Sequence, residues 1–156
     1  MKILDPACGS KMFWFDKNEP HTTYTDIRKE ILTMKDRKYT RKIIIDPDKV
    51  ANFTDLPFDE EEFNLIVFDP PHLNKVGANS WLAKKYGQLD RNSWSTDIEK
   101  GFKELWRVLA NDGVLLFKWS DNQISFKDVF AHIPYKPILG DKRGHTRWFV
   151  FIKVTD

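Results

Sequence analysis

Apolar runs punctuated by turn residues mark out the strands of this chain. Lys2 to Leu4 stops at Asp5-Pro6, Phe63 to Phe68 stops at Asp69-Pro70-Pro71, and Gly113 to Trp119 follows Asn111-Asp112. Their near-continuous hydrophobicity predicts strands buried on both faces. Arg147 to Val154, dense in aromatic and β-branched residues, predicts another strand, and Thr22 to Thr25 and Lys42 to Ile45 are shorter candidates ending at Asp26 and Asp46. Helical spacing appears between them. Ile98, Phe102, Leu105, Trp106 and Leu109 share one face of a helix opening on the capping box Thr96-Asp97-Ile98-Glu99. A second helix is predicted from Ser125, with Asp128 three residues on and Phe126, Val129 and Phe130 as its apolar positions, ending before Pro134.

Strands alternating with helices imply βαβ units, hence an α/β fold with a mostly parallel sheet of six or seven strands and helices on both faces. The alternation fades around Pro134, Pro137 and Gly140, so the last strand is expected to enter antiparallel. Leu73 to Ser95 has no sustained period and is expected to be a long functional loop facing the substrate.

Composition narrows the class. The 156 residues suit a single domain spanning 1–156, with no room for a separate target-recognition domain. No apolar run reaches the roughly 20 residues of a membrane span, and Met1-Lys2-Ile3-Leu4-Asp5-Pro6 lacks the features of a signal peptide, so a cytoplasmic location away from membranes is expected. Cys8 stands alone and the 4 His residues are scattered without metal-ligand spacing, so no metal is expected. A net charge of +2 leaves nucleic-acid binding to local patches, and 6 Trp and 12 Phe make the chain unusually aromatic.

In an open α/β sheet, ligands gather at the carboxyl ends of the strands. After the first strand comes Asp5-Pro6-Ala7-Cys8-Gly9-Ser10, where a glycine turn lets backbone amides approach a ligand. The dinucleotide fingerprint G-x-G-x-x-G is absent, which argues against a nicotinamide cofactor. Asp26, 17 residues beyond Gly9, is placed either to accept hydrogen bonds from ribose hydroxyls or to be a plain surface acid. After the strongest strand comes Asp69-Pro70-Pro71-His72. The paired prolines either make a simple strand-to-loop turn or rigidly present the Asp69 carboxylate and the Pro70 carbonyl as two acceptors for a donor with two hydrogens. An exocyclic amine on a nucleobase is such a donor, and two acceptors polarise it toward an electrophile.

These two segments carry a resemblance. Asp5-Pro6-Ala7-Cys8-Gly9-Ser10 resembles the cofactor motif of class I S-adenosylmethionine-dependent methyltransferases, and Asp69-Pro70-Pro71-His72 resembles the D-P-P-aromatic motif of their amino-methylating branch, especially DNA N6-adenine methyltransferases. The likeness runs from Ile3 to about Trp119 and implies their Rossmann-like fold. It implies S-adenosylmethionine as cofactor, with Asp5, Pro6, Ala7, Cys8 and Gly9 along the methionine part, Asp26 on the ribose, and Asn52 and Phe53 at the adenine, Asp55 being the nearby alternative to Asn52. It implies that Asp69, Pro70 and Pro71 hold the target amine and that His72 stacks on the target base. The chain departs from the family pattern at Lys11, where a second glycine is usual, and at His72, where Tyr, Phe or Trp is usual.

The implied acceptor is adenine N6 in DNA, with an RNA base as the alternative substrate and an inactive cofactor-binding module as the alternative from another class. Trp81, Lys84, Lys85 and Tyr86 interleave aromatics with cations, as in a loop gripping a nucleic-acid backbone; alternatively Trp81, Tyr86 and Trp94 fold down on the core. Arg28 to Lys42 holds seven Lys or Arg against Glu30 and Asp36, a further basic stretch. With no recognition domain, sequence-specific readout would need loops or a protein partner.

Overall fold

The computed structural model describes residues 1–77 and 80–154, with the side chain of Asp36 left aside; positions 78 and 79 of the expected 73–95 loop therefore lie outside the described residues. Seven strands form the main sheet: β1 (Ile3–Asp5), β2 (Thr22–Asp26), β5 (Lys49–Val50), β6 (Phe63–Phe68), β7 (Leu109–Ser120), β8 (Leu139–Gly140) and β9 (Thr146–Ile152). Their order is β5-β2-β1-β6-β7-β9-β8. Pairing is parallel from β5 through β7, and β9 is antiparallel to both β7 and β8. The mostly parallel α/β sheet with an antiparallel end is thus as the sequence predicts. Strands β3 (Glu30–Asp36) and β4 (Tyr39–Ile45) form a separate antiparallel ribbon, and the helices are α1 (Trp81–Tyr86), α2 (Trp94–Val108) and α3 (Phe126–Phe130). No helix among the described residues is long and apolar enough to cross a membrane.

The chain steps from β1 outward to β2 and β5, then returns to β6 and β7 on the other side. The order therefore reverses between β1 and β6, and the crevice at that switch point is where a parallel sheet binds ligands. Right-handed crossovers send the outward and the returning connections to opposite faces. On the returning side, α2 lays Ile98, Phe102, Leu105 and Val108 against Leu4, Ile66, Phe68, Leu115, Phe117 and Phe151, forming the main core. Aromatic rings fill it edge to face: Phe102 lies 5.1 Å from Phe117 and Phe53 5.1 Å from Phe68. α3 closes the same core through Val129, capped by Ser125 accepting from the Asp128 amide as the sequence predicts.

α2 and α3 both pack on this face. The outward connections carry a turn-rich segment between β1 and β2 and the β3–β4 ribbon between β2 and β5. Lys42 to Ile45, read as a short strand, belongs to that ribbon rather than to the main sheet. Two further differences concern 73–95. This stretch contains α1, which at six residues is too short to show a period, and α2 starts within it, at Trp94. The Thr96–Glu99 capping box therefore lies inside the helix. Asp90 instead receives the Asn92 and Ser93 amides ahead of it, and the Ser93 hydroxyl donates to Asp97 at 2.7 Å.

Gly101 in α2 faces Phe53 so closely that an added Cβ would lie 2.5 Å from the ring. Gly101→Ala is expected to lower stability by about 1–3 kcal/mol through overpacking. At an uncrowded helix position the same change would raise stability by up to ~1 kcal/mol; urea unfolding decides between the two signs.

Candidate active site

The turn after β1 is tied to β2. The Cys8 amide donates to the Thr25 carbonyl at 2.9 Å and the Gly9 amide to Asp26 Oδ2 at 2.8 Å, while the other Asp26 oxygen accepts from the Arg28 amide at 2.9 Å. Gly9 has φ +50° and Lys11 φ +57°, so both sit in the left-handed region that favours glycine. Lys11 thus holds a glycine-like conformation, and its ammonium lies 4.0 Å from the Tyr24 ring and donates to the Lys17 carbonyl at 3.2 Å. The departure from the family pattern at this position leaves the left-handed turn intact.

Beside this turn opens a cavity of about 580 Å³. Its walls include Pro6, Ala7, Gly9, Asp26, Asn52 and Phe53, which are six of the eight residues expected around a cofactor. Phe53 also belongs to the core, so its ring position is fixed by α2 and Phe68. The Asn52 Oδ1 accepts from the Thr54 amide and hydroxyl, which leaves its amide N–H groups for a ligand. Asp55 is exposed and lies outside the cavity wall. The other two expected residues, Asp5 and Cys8, line a narrow cleft of about 40 Å³, together with Ala7, Gly9, Asp69, Lys85 and Tyr86.

On the far side of that cleft lies a third space of about 280 Å³ walled by Asp69, His72, Leu82, Tyr86, Lys118, Ser120 and Asn122 among others. Asp69 borders both the cleft and this space, while Gly9 borders both the cleft and the large cavity. The carboxyl ends of β1 and β6 therefore meet at the cleft, whose walls are shared with the two larger spaces. Pro70 is buried and lines none of the three spaces; Pro71 lines the large cavity and packs beneath Gly87, the C-cap of α1. His72 stands 6.3 Å from Trp119 and 6.5 Å from Tyr86.

Burial perturbs the ionisable groups around the cleft. Burial pushes the Asp5 carboxyl up to about 7, against hydrogen bonds from Trp14 Nε1 at 2.8 Å and the Ala7 amide at 3.4 Å that pull it down. Burial likewise raises Asp69 to about 6, opposed by the Lys118 ammonium 3.6 Å away. Burial, reinforced by the carboxylates Asp5 and Asp26, pushes the Cys8 thiol up, so it stays protonated and is no nucleophile. His72 is pushed down by burial and by Lys118, which favours neutral imidazole. Three acids thus converge, with Lys118 beside Asp69, Arg28 3.5 Å from Asp26 and Lys85 on the cleft wall.

Of the residues expected to meet substrate, Lys84 lines the large cavity, Lys85 the cleft, and Tyr86 all three spaces. They lie on α1 rather than on a loop; its Ser80 cap accepts from the Ala83 amide, and Arg28 donates to the Lys84 carbonyl at 2.9 Å. Trp81 lines none of these spaces, and Trp94 packs on the core against His132. Lys118, Ser120 and Arg28 are site residues that the motif reading missed. Lys118 had a signal: a lone cation inside the apolar strand Val114-Leu115-Leu116-Phe117-Lys118-Trp119. Ser120 Oγ is buried without a hydrogen-bond partner at the wall of the third space.

No protein-family model and no curated protein matches the sequence. Solved structures do. A TehB-like S-adenosylmethionine-dependent methyltransferase from Corynebacterium glutamicum matches at TM-score 0.56 and 15% identity over 97% of this chain and 79% of its own. An S-adenosylmethionine-dependent methyltransferase from Methanosarcina mazei matches at 0.57 and 13% over 99% and 93%. A Burkholderia thailandensis 1,6-didemethyltoxoflavin-N1-methyltransferase, solved with that compound and S-adenosylhomocysteine bound, matches at 0.54 and 9% over 98% and 71%. The shared property is the Rossmann-like methyltransferase fold.

Asp5 gives a pH signature in the ligand-free protein. Its folded pKa of about 7 lies above the ordinary value of 3.8, so the native state binds the extra proton between those values. Its contribution to stability is therefore present at low pH and lost as pH rises toward 7. The difference in melting temperature between wild type and Asp5→Asn is expected to shift against wild type from pH 5 to pH 8; a difference curve flat across that range contradicts it.

Proposed function

We propose that the protein transfers a methyl group from S-adenosylmethionine to the exocyclic amine of a nucleobase, with adenine N6 in DNA as the favoured acceptor. The observation that carries this reading is the position of Asp69, on the wall shared by the Gly9 cleft and the 280 Å³ space. An amine held there lies next to the compartment where the cofactor would sit. The fold neighbours, S-adenosylmethionine-dependent methyltransferases, support the choice of cofactor.

Residues of the chain fit that cofactor. Asp26 keeps lone pairs for ribose hydroxyls beyond those used by Gly9 and Arg28, Asn52 offers amide donors to an adenine edge, and Phe53 offers a fixed ring. Asp69, and Asp5 above its pKa of about 7, supply negative charge suited to a sulfonium. When bound, S-adenosylmethionine provides an electrophilic methyl group. Asp69 accepts one amine hydrogen and takes the proton that the nitrogen sheds once it is alkylated, while Pro70, buried outside the three spaces, shapes the turn that presents it. Lys118 keeps Asp69 ionised for this task, and His72 stacks on the base from the third space. That space is smaller than the ~300–1,000 Å³ of drug-sized pockets, a size suited to one planar ring system extruded from a strand.

The test is to incubate the purified chain with labelled S-adenosylmethionine and duplex DNA, single-stranded DNA, RNA or free adenosine, and to identify the modified nucleoside by mass spectrometry. N6-methyladenine in DNA is expected; label appearing only in RNA, or only in the free nucleoside, moves the acceptor accordingly. Asp69→Ala should cut turnover by roughly 10²–10³-fold while cofactor affinity holds. Asp26→Asn should weaken cofactor binding by roughly tenfold or more in calorimetry; unchanged affinity removes the ribose assignment. Lys118→Met should move the acid limb of kcat/KM to higher pH, because Asp69 then loses the cation that favours its charge.

A further inference from the structure

The β3–β4 ribbon is cationic out of proportion to the rest of the chain. Residues 28–45 hold seven Lys or Arg against Glu30 and Asp36, a surplus of five positive charges in a chain whose total is +2, so the remainder is net acidic. Only the base of the ribbon is built into the molecule. Ile43 and Ile45 are buried and Leu32 is partly buried, whereas Lys35, Arg37, Lys38, Thr40 and Lys42 are exposed and Tyr39 is 76% exposed. A two-stranded ribbon is marginal by itself in water, so an outer half without packing partners calls for a ligand more than for a core role. Among the described residues, Lys35, Arg37, Lys38 and Lys42 form no ion pair. The base of the ribbon also adjoins the site: Glu30 and Leu32 line the 580 Å³ cavity, and Arg28 holds α1 through the Lys84 carbonyl.

We infer that the outer half of this ribbon is an arm that grips the phosphodiester backbone of a nucleic-acid duplex at the rim of the active site. The inference rests on the nucleobase reading of the acceptor space and names the hold that a base-methylating core needs. Lys35, Thr40, Thr33 and Lys42 lie on one face of the ribbon by its pairing register; there and at the tip the lysines neutralise phosphates and the threonine hydroxyls donate to phosphate oxygens. A two-stranded ribbon is narrow enough for the major groove. The acidic remainder of the molecule turns this edge, rather than any other, toward the polyanion.

The test compares wild type with the triple variants Lys35→Gln, Lys38→Gln, Lys42→Gln and Lys35→Arg, Lys38→Arg, Lys42→Arg, titrating a labelled short duplex by fluorescence anisotropy at several salt concentrations. The Gln variant should bind roughly tenfold or more weakly, with the slope of log affinity against log salt smaller by about 0.9 for each phosphate no longer neutralised. The Arg variant should bind as wild type does. Melting temperature and calorimetric cofactor affinity should be the same in all three, since none of these lysines touches the cavities. Equal affinity and slope in wild type and the Gln variant overturn the arm, as do an equal weakening in the Arg variant, absence of duplex binding in wild type, or preference for anionic vesicles over nucleic acid. The same weakening on duplex RNA supports the arm through the shared backbone chemistry. If wild type methylates no base yet the Gln variant loses duplex binding, the acceptor reading fails and the arm stands.

Discussion

Two carboxylates at the ends of adjacent parallel strands set the terms for everything around them. Asp5 closes β1 and Asp69 follows β6, and strand pairing alone brings both to the switch point of the sheet. Neither can be moved without shifting the register of a buried strand, and each carries the penalty of desolvation. The surrounding features answer that penalty in part: an indole N–H on Asp5, an ammonium beside Asp69, and backbone amides directed at Asp26. Protonation is the remaining answer, since both carboxyls titrate well above the ordinary carboxylate range. A cationic methyl donor and an amine that becomes positive as it reacts both favour the ionised forms.

The motif residues were legible in the sequence because strand ends are. Asp5-Pro6 and Asp69-Pro70-Pro71 interrupt apolar runs abruptly, and in a parallel sheet such interruptions collect at one edge. The run from Phe63 to Phe68 coincides with β6 to the residue for the same reason. The prolines separate in role: Pro71 packs under α1, whereas Pro70 is buried away from all three cavities. The helix starts and the contents of the 73–95 stretch were less legible. Thr96 and Glu99 satisfy the capping pattern, but Asp90 offers its carboxylate to two amides earlier in the chain and the helix begins there. The six residues of α1 have no periodicity to read, and their position depends on Arg28, far away in sequence. Lys118 shows the general limit: a single charge in an apolar strand signals function, but its partner is known only once the strands are aligned.

The fold is asymmetric in how it covers its sheet. One face carries the aromatic core of α2 and α3, whereas the connections on the other are a turn-rich segment and a ribbon. This asymmetry accounts for much of the aromatic content. Rings of Phe53, Phe68, Phe102 and Phe117 fill one layer, mostly in edge-to-face contact, so much of the chain's aromatic content is core. His72 and Tyr86 stand at the wall of the third space, and Phe53 serves both the core and the large cavity.

Tyr86 borders all three spaces. It ends a helix far shorter than the length at which helices persist alone, and that helix is held by a serine cap and one guanidinium from the root of the ribbon. Any swing of this segment therefore alters the walls of both compartments together. Occupants of the two sides would thus share one partition, and a displacement of Tyr86 by one reshapes the wall met by the other.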